Sequence, residues 1–454
     1  MANEKEVRDV QRFRYRCSVV VVTISVVASI ATAYLLPRKP SAVEQTIDAK
    51  LADLRSRGVP LTPAEIAKIL PDPDPDHDAR NLLAKATELS QRKSDSSDLP
   101  LLGDGQLPKR GEPIPEPVMD AMRGHLADGA AMEAIPECLD GVRFSLKWNS
   151  GSTNPPAHPR FLEIRDLIQT LMLQAIYEAE SSNSTRACEA LRKGFGIAWS
   201  LNDDDLFMTM MRVACADAMC DAAEQVLNRI QLRAAELKEL ERQIALERIG
   251  DFRNAFVGER VERLIWFDEE RKQYSRRNLK ARFKEIAQVL SRRAQPRYRD
   301  EDRLLFLRSM DARARALSLP IAMCLHTNLS IETEYWQKVK SIAGGEHGGF
   351  LCGTSLKRAF ETRARLVALK SALAVQRYRL SNSGALPSSL ADLIPEYVPA
   401  LPTDLFDDQP LRYEKRDAGY VIYSIGADGK DDGGKEPAQP PEPEGYDVTV
   451  ILER

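Results

Sequence analysis

FLEIRDLIQTLMLQAIYEAE, residues 161–180, sets Phe161, Leu162, Ile164, Leu167, Ile168, Leu171, Leu173 and Ile176 at spacings of three and four. That spacing lays apolar side chains along one face of a helix. Polar breaks near Ser181–Ser184 and Asn202–Asp205 divide the following sequence into further amphipathic segments. The same pattern predicts helices over Phe207–Ile230, Arg233–Ile249, Ala255–Tyr274, Leu279–Ala294, Asp302–Leu317 and Ile331–Ile342. Short polar breaks between such helices predict antiparallel pairs, so residues 118–350 read as an α-helical hairpin array. No small/large signature recurs at a period of about 34 residues, and the array is therefore expected to be irregular.

Composition agrees with a mainly α protein. The chain has 454 residues, 43% hydrophobic, 6% aromatic and with 24 Gly, enough to bury cores for two or three folded units. Lys+Arg number 64 against 67 Asp+Glu, a formal net charge of -3, which gives no general electrostatic reason to bind nucleic acid. The seven cysteines are an odd number without C-x-x-C spacing, so neither a zinc knuckle nor a disulfide framework is indicated. Cys215 and Cys220 would stand about 140° apart around a helix, a poor geometry for a bridge. Buried, small apolar roles are expected for most of them.

Upstream, Cys17–Leu36 (CSVVVVTISVVASIATAYLL) carries no charge. As a helix it would reach roughly 30 Å, the thickness of the hydrocarbon core. Lys5, Arg8, Arg12, Arg14 and Arg16 precede it, whereas Arg38, Lys39 and Lys50 follow. The positive-inside rule then keeps residues 1–16 cytoplasmic. The expectation is a single-pass protein of the cytoplasmic (inner) membrane, its C-terminal bulk extracytoplasmic or periplasmic. Ala31-Thr32-Ala33 also has the small-x-small form of a signal peptidase site, the alternative reading of this segment.

Residues 37–117 read as a connector with short helices. Thr62-Pro63-Ala64-Glu65 has the form of a capping box with Pro at the first helical position. The tract Pro71–Asp76 alternates Pro with Asp and is expected to be stiff and extended. With His77 and Asp78 it reads either as a metal site or as an acidic linker capping a helix over Ala79–Gln91. Lys93–Pro117, rich in Ser, Asp, Gly and Pro, reads as a loop. Arg271–Arg299 is locally basic with Tyr274, Phe283 and Tyr298 interleaved, which suits either anionic headgroups or a solvated helical face.

The sequence contains no G-x-S-x-G, G-x-x-x-x-G-K-[ST] or H-E-x-x-H. His347, in the Gly-rich run Gly344–Gly349 near Cys352, is the histidine best placed to partner a nucleophile, and a helix-connecting turn explains the same residues.

From Leu356 a helix is expected to Leu380, ending at Asn382–Gly384. After it come a short helix at Ser389–Ile394, a Pro-rich stretch, a hairpin of Leu411–Glu414 and Tyr420–Tyr423 around Asp417-Ala418-Gly419, and a third strand at Val448–Leu452. Leu386-Pro387, Leu390, Leu393, Leu401-Pro402, Asp404, Phe406, Tyr413, Tyr423-Ser424, Gly426 and Asp428-Gly429-Lys430 stand in the order found in the major pseudopilin of type II secretion systems. Residues 356–454 thus resemble that family's globular end. The resemblance implies a small α+β module with a short antiparallel sheet and a bound calcium ion. Asp428 matches a calcium ligand best, and Asp431, Asp432 and Asp447 occupy the approximate places of the later carboxylates. Asp and Gly at these positions also suit plain turns. The chain departs from the family at the insertion Lys435–Glu444, and Cys17–Leu36 lacks the basic leader, Gly-Phe junction and glutamate of a pseudopilin anchor. Polymerisation as an ordinary pilus subunit is therefore not expected.

The expected function is that of a structural or interaction protein, not an enzyme. Its partners would be the cytoplasmic membrane, through Cys17 to Leu36, and envelope or secretion-system proteins, with no nucleic acid. The alternative is an extracytoplasmic enzyme whose acid and base groups converge from distant helices of the body.

Overall fold

The computed structural model describes residues 40–70, 73–74, 76–91, 99–126, 130–137, 139, 141–144, 161–201, 206–247, 249, 252–276, 300–343, 352–436 and 446–454. Cys17–Leu36, Leu279–Ala294, most of Arg271–Arg299 and the Gly344–Gly349 run with His347 lie outside them. The chain divides into two compact units, Met1–Lys50 and Leu51–Arg454. Within the described residues, helix α1 (Ala42–Ser56) starts at Ser41, whose hydroxyl accepts from the Glu44 amide while Glu44 accepts from the Ser41 amide at 2.7 Å. No helix among the described residues is long and apolar enough to cross a membrane.

Twelve further helices among the described residues build a mainly α fold with one small sheet. They are α2 (Pro63–Ile69), α3 (Ala79–Gln91), α4 (Glu116–Leu126), α5 (Ala130–Glu133), α6 (Phe161–Glu180), α7 (Ser184–Ser200), α8 (Leu206–Arg229), α9 (Ala234–Ala245), α10 (Arg253–Arg276), α11 (Asp300–Ala316), α12 (Ile321–Ala343) and α13 (Cys352–Ser381). Their starts follow local chemistry. Thr62 caps α2 through its hydroxyl and Glu65 reaches back to the Thr62 amide, closing the expected capping box. Asp78 takes the Arg80 amide at 3.0 Å at the head of α3. Helix α12 begins ten residues before the expected Ile331, immediately after Pro320, whose carbonyl accepts from the Cys324 amide at 2.8 Å. Proline sets the first turn there without sacrificing a hydrogen bond. Helix α9 stops at Ala245, short of the expected Ile249.

Helices α6, α7 and α8 pack mutually, and α13 lies against α8, α9, α12 and the sheet. The contact of α7 with α8 is close enough that a Cβ on Gly194 would stand 2.5 Å from the Met219 sulfur. Helix α13 is apolar on the side it buries, with Leu356, Leu366, Leu369, Leu373 and Val375 fully enclosed. Each such side chain contributes about 1.5–3 kcal/mol of burial. The Lys93–Pro117 loop, where described, lies against the body, with Leu99 and Ile114 buried together with Leu173 and Ile176 of α6.

Helix α13 ends where the Gly384 amide returns to the Arg379 carbonyl, with Gly384 at φ +87°. The short helix expected over Ser389–Ile394 is a single 3-10 turn, Leu390–Leu393. Strands β1 (Arg412–Arg416), β2 (Gly419–Ser424) and β3 (Val448–Leu452) form an antiparallel sheet in that order. The hairpin loop is two residues, Asp417-Ala418, rather than three, because Gly419 pairs with Arg416 inside the ladder. At φ +139°, a Cβ on Gly419 would fall 1.9 Å from the Leu452 carbonyl oxygen, so the close pairing with β3 admits only glycine.

The sheet and the helical body share one apolar core, which includes Tyr420, Ile422, Val450 and Leu452 as well as Leu171, Leu227 and Leu373. Polar bonds seal the join. The buried Asn228 amide of α8 donates to the Ile451 carbonyl at 2.8 Å, and its oxygen accepts from the Glu453 amide at 2.7 Å. Asn228 therefore does for part of the free edge of β3 what another strand would do.

Candidate functional site

Two groups of charged residues, one within the C-terminal module and one between α8 and α13, differ in how completely their oxygens are filled. The first centres on Asp404, which is buried in the turn before β1. One of its oxygens accepts from the Ser424 hydroxyl at 2.7 Å and the Phe406 amide at 3.0 Å. The other accepts from the Ile425 amide at 2.9 Å and Arg412 at 2.8 Å. Arg412 also holds Asp407, whose carboxyl this pair keeps below its ordinary value. Four donors on one carboxylate fix the Pro-rich stretch to the hairpin.

The four carboxylates assigned to calcium are placed unevenly. Asp447 is buried beside β3, and its carboxylate accepts from the Gly434 amide at 2.7 Å and the Asp432 amide at 3.1 Å. Burial raises its carboxyl above the ordinary value, the two amides oppose this, and the charges of Asp431 and Asp432 add to the rise. Asp431 accepts from the Gly433 amide and the Tyr423 hydroxyl, at 3.1 and 3.2 Å. Asp432 Oδ2 is buried with no hydrogen-bond partner, an orphan acceptor that fits a cation. Asp428 is exposed and takes the Lys430 amide at 3.1 Å, and its charge is felt by Glu361 of α13. Asp431 and Asp432 thus stand near enough to Asp447 for their charges to act on it, whereas the charge of Asp428 acts on Glu361 of α13. Among the described residues no three His, Cys, Asp or Glu groups converge as a metal-holding set.

The second group lines a cleft of about 700 Å³ between α8 and α13, bordered by the loop carrying Arg110 and by the segment around β3. Helix α8 contributes Asp217, Asp221 and Glu224, and α13 contributes Arg358, Glu361, Thr362 and Arg365. Spacings of three, four and seven put each set on one helical face. Arg365 is the hub, reaching Asp221 at 2.6 Å and Asp217 and Glu224 at 3.3 Å each. Arg358 pairs with Asp217, and Arg110 joins Glu224 at 2.7 Å to Glu436 at 3.0 Å. Burial nonetheless raises the Glu224 carboxyl despite Arg365 and Arg110. Burial likewise raises Glu361, which Lys357 and Arg358 relieve only in part while Asp217 and Asp428 push it further. Lys357 stands 3.8 Å from Glu361, beyond hydrogen-bond reach.

Of the carboxylates lining the cleft, Asp447 is read from the sequence, as a calcium ligand, whereas Asp217, Asp221, Glu224, Glu361 and Glu436 are not. A signal was present: three acids at one helical face interrupt the largely apolar stretch 213–227, and Arg358, Glu361 and Arg365 match them on α13. Their meeting needed the fold. Elsewhere, His77 pairs with Asp74 at 2.9 Å in the open, and that contact holds the imidazole above its ordinary value. Cys188, Cys215, Cys220 and Cys324 are buried free thiols, and burial pushes Cys188 and Cys215 up to about 12, away from nucleophilic chemistry.

Compared with family models, with curated proteins and with solved structures, the chain matches none.

Proposed function

We propose that this chain is a single-pass, membrane-anchored binding protein of the cell envelope, anchored by Cys17–Leu36 with its bulk on the extracytoplasmic side. In this reading the helical array is a scaffold that presents the α8–α13 cleft, and the pseudopilin-like segment 356–454 links it to type II secretion or pilus-like machinery. The observation that carries a binding role is the charge of the cleft. Its lining holds six carboxylates, on Asp217, Asp221, Glu224, Glu361, Glu436 and Asp447, against three guanidinium groups. A site with surplus charge gains by taking a ligand of opposite sign. Calcium enters through the resemblance. It would be held by Asp431, Asp432 and Asp447, with Asp428 drawn in, and it would supply order to a loop that has little core of its own.

A reporter fused after Arg454 tests the topology: activity confined to the far side of the membrane is expected, and activity confined to the cytosol overturns it. Calorimetric titration of the full chain with calcium tests the loop. Heat and a raised melting temperature are expected, and the lack of both removes calcium from the account.

An enzymatic reading is favoured by one observation, the burial-raised carboxyls of Glu224 and Glu361 inside a cleft, since a raised carboxyl is how a protein prepares a general acid. The ion pairs that tie Glu224 to Arg365 and Arg110 favour binding instead, because they hold that carboxylate as an anion.

A further inference from the structure

Three acceptors in the cleft are incompletely used. Asp221 has an ion pair to Arg365 and a side chain 56% exposed to the cleft and solvent. Glu361, only 15% exposed, meets its nearest cation at 3.8 Å. The third points most directly to a ligand: Thr362 is 1% exposed, lines the cleft, and its hydroxyl oxygen has no hydrogen-bond partner. A buried threonine hydroxyl on a helix ordinarily donates to the carbonyl one turn back, so an orphan there is a hydroxyl whose lone pairs and proton are both open to a ligand. The cleft also has an apolar part to its wall, formed by Leu101, Leu107, Met172, Ile176 and Ala222.

Taking the cleft as the ligand-binding surface, as proposed above, we infer that it receives an alkylammonium group, with Thr362, Glu361 and Asp221 accepting from the nitrogen and the apolar wall covering the methylenes. A primary ammonium carries three donors, which matches the three acceptors. The flexible stem of an amine suits the mixed lining better than a compact ion does. A lysine side chain of a partner and a free linear diamine carry the same chemistry.

The test is titration of the full chain in chelator, so that calcium at the Asp431–Asp447 loop adds no heat. Putrescine and a short peptide with one central lysine are the probes, and tricarballylate is the anionic control. Binding of an amine probe is expected. Glu361→Gln, isosteric and less costly to bury, should weaken it about tenfold or more, the worth of a hydrogen bond to a charged group. Thr362→Val should weaken it less, with its melting temperature confirming the fold. Tighter binding of the peptide identifies a partner lysine as the source, and tighter binding of putrescine identifies a free diamine. If tricarballylate binds and the amines do not, the ammonium inference falls while the cleft stands as a ligand site. If no probe binds, or amine affinity is unchanged in Glu361→Gln, the inference falls, and the membrane topology, read by the reporter, is untouched.

Discussion

Asp404 and Glu361 are both carboxylates withdrawn from solvent, yet their surroundings are opposite. Four donors close around Asp404, one of them the charged Arg412, so no oxygen is left to bind anything. Glu361 faces a cleft with one cation at 3.8 Å and further negative charge from Asp217 and Asp428. A carboxylate that is fully satisfied acts as a structural pin, whereas one left short of donors spends folding energy that a ligand can return. The largest effect is therefore expected at the pin. Asp404→Ala should cost about 3–5 kcal/mol, because it leaves buried donors unpaired where water does not reach. Denaturant unfolding measures it, and a loss under about 1 kcal/mol would erase the distinction between the two groups.

Arg365→Met comes next. It leaves Asp217, Asp221 and Glu224 facing one another, but in a cleft open to water, so the expected loss is smaller, about 2–3 kcal/mol. Much of it should disappear in acid, where those carboxyls take up protons. A loss equal to that of Asp404→Ala, and the same at low pH, would mean that the cleft is sealed like the pin.

The cleft was not visible in the sequence, and Asp404, Phe406 and Ser424 stood out only as positions of the resemblance, for a physical reason. Asp404, Phe406, Arg412 and Ser424 lie within one short stretch whose turn and hairpin chemistry is local, and the strands at Tyr420–Tyr423 and Val448–Leu452 announced themselves by composition and alternation. The helices were legible from periodicity, though α12 hid its first ten residues because Pro320 reads as a break when it is in fact the start. The cleft draws on residues near 110, 217–224, 358–365 and 436–449. Asp217, Asp221 and Glu224 taken alone look like the solvated face of an amphipathic helix, and only the docking of α13 turns that face inward. Periodicity reports which face a residue shares, never which partner the face meets.

Glu361→Gln should have a smaller effect, of opposite sign to the first two. The Glu361 carboxyl is raised in the fold above its ordinary 4.5, chiefly by burial. Its contribution to stability is thus fully present below 4.5 and is lost as pH rises through the folded value, so at neutral pH the ionised group destabilises the native state. The glutamine variant should melt higher than the parent at pH 7.5, and the gap should close as pH falls below 4.5. A variant that melts lower at pH 7.5 would show that Glu361 is held by donors after all, as Asp404 is.

Asp428→Asn should produce the smallest effect and the sharpest division. Its carboxylate is exposed and takes one amide, from Lys430 two residues on, so in chelator the stability change should lie within about 0.5 kcal/mol. Two assignments compete for Asp428: the resemblance places it in the calcium loop with Asp431, Asp432 and Asp447, while its charge acts on Glu361 in the cleft. If it belongs to the loop, calcium should raise the melting temperature of the parent and not of the asparagine variant, with amine binding unchanged. If its charge serves the cleft, amine affinity should fall while the calcium response persists. Ordinary turn formation predicts neither change, because asparagine accepts the Lys430 amide as well as aspartate does.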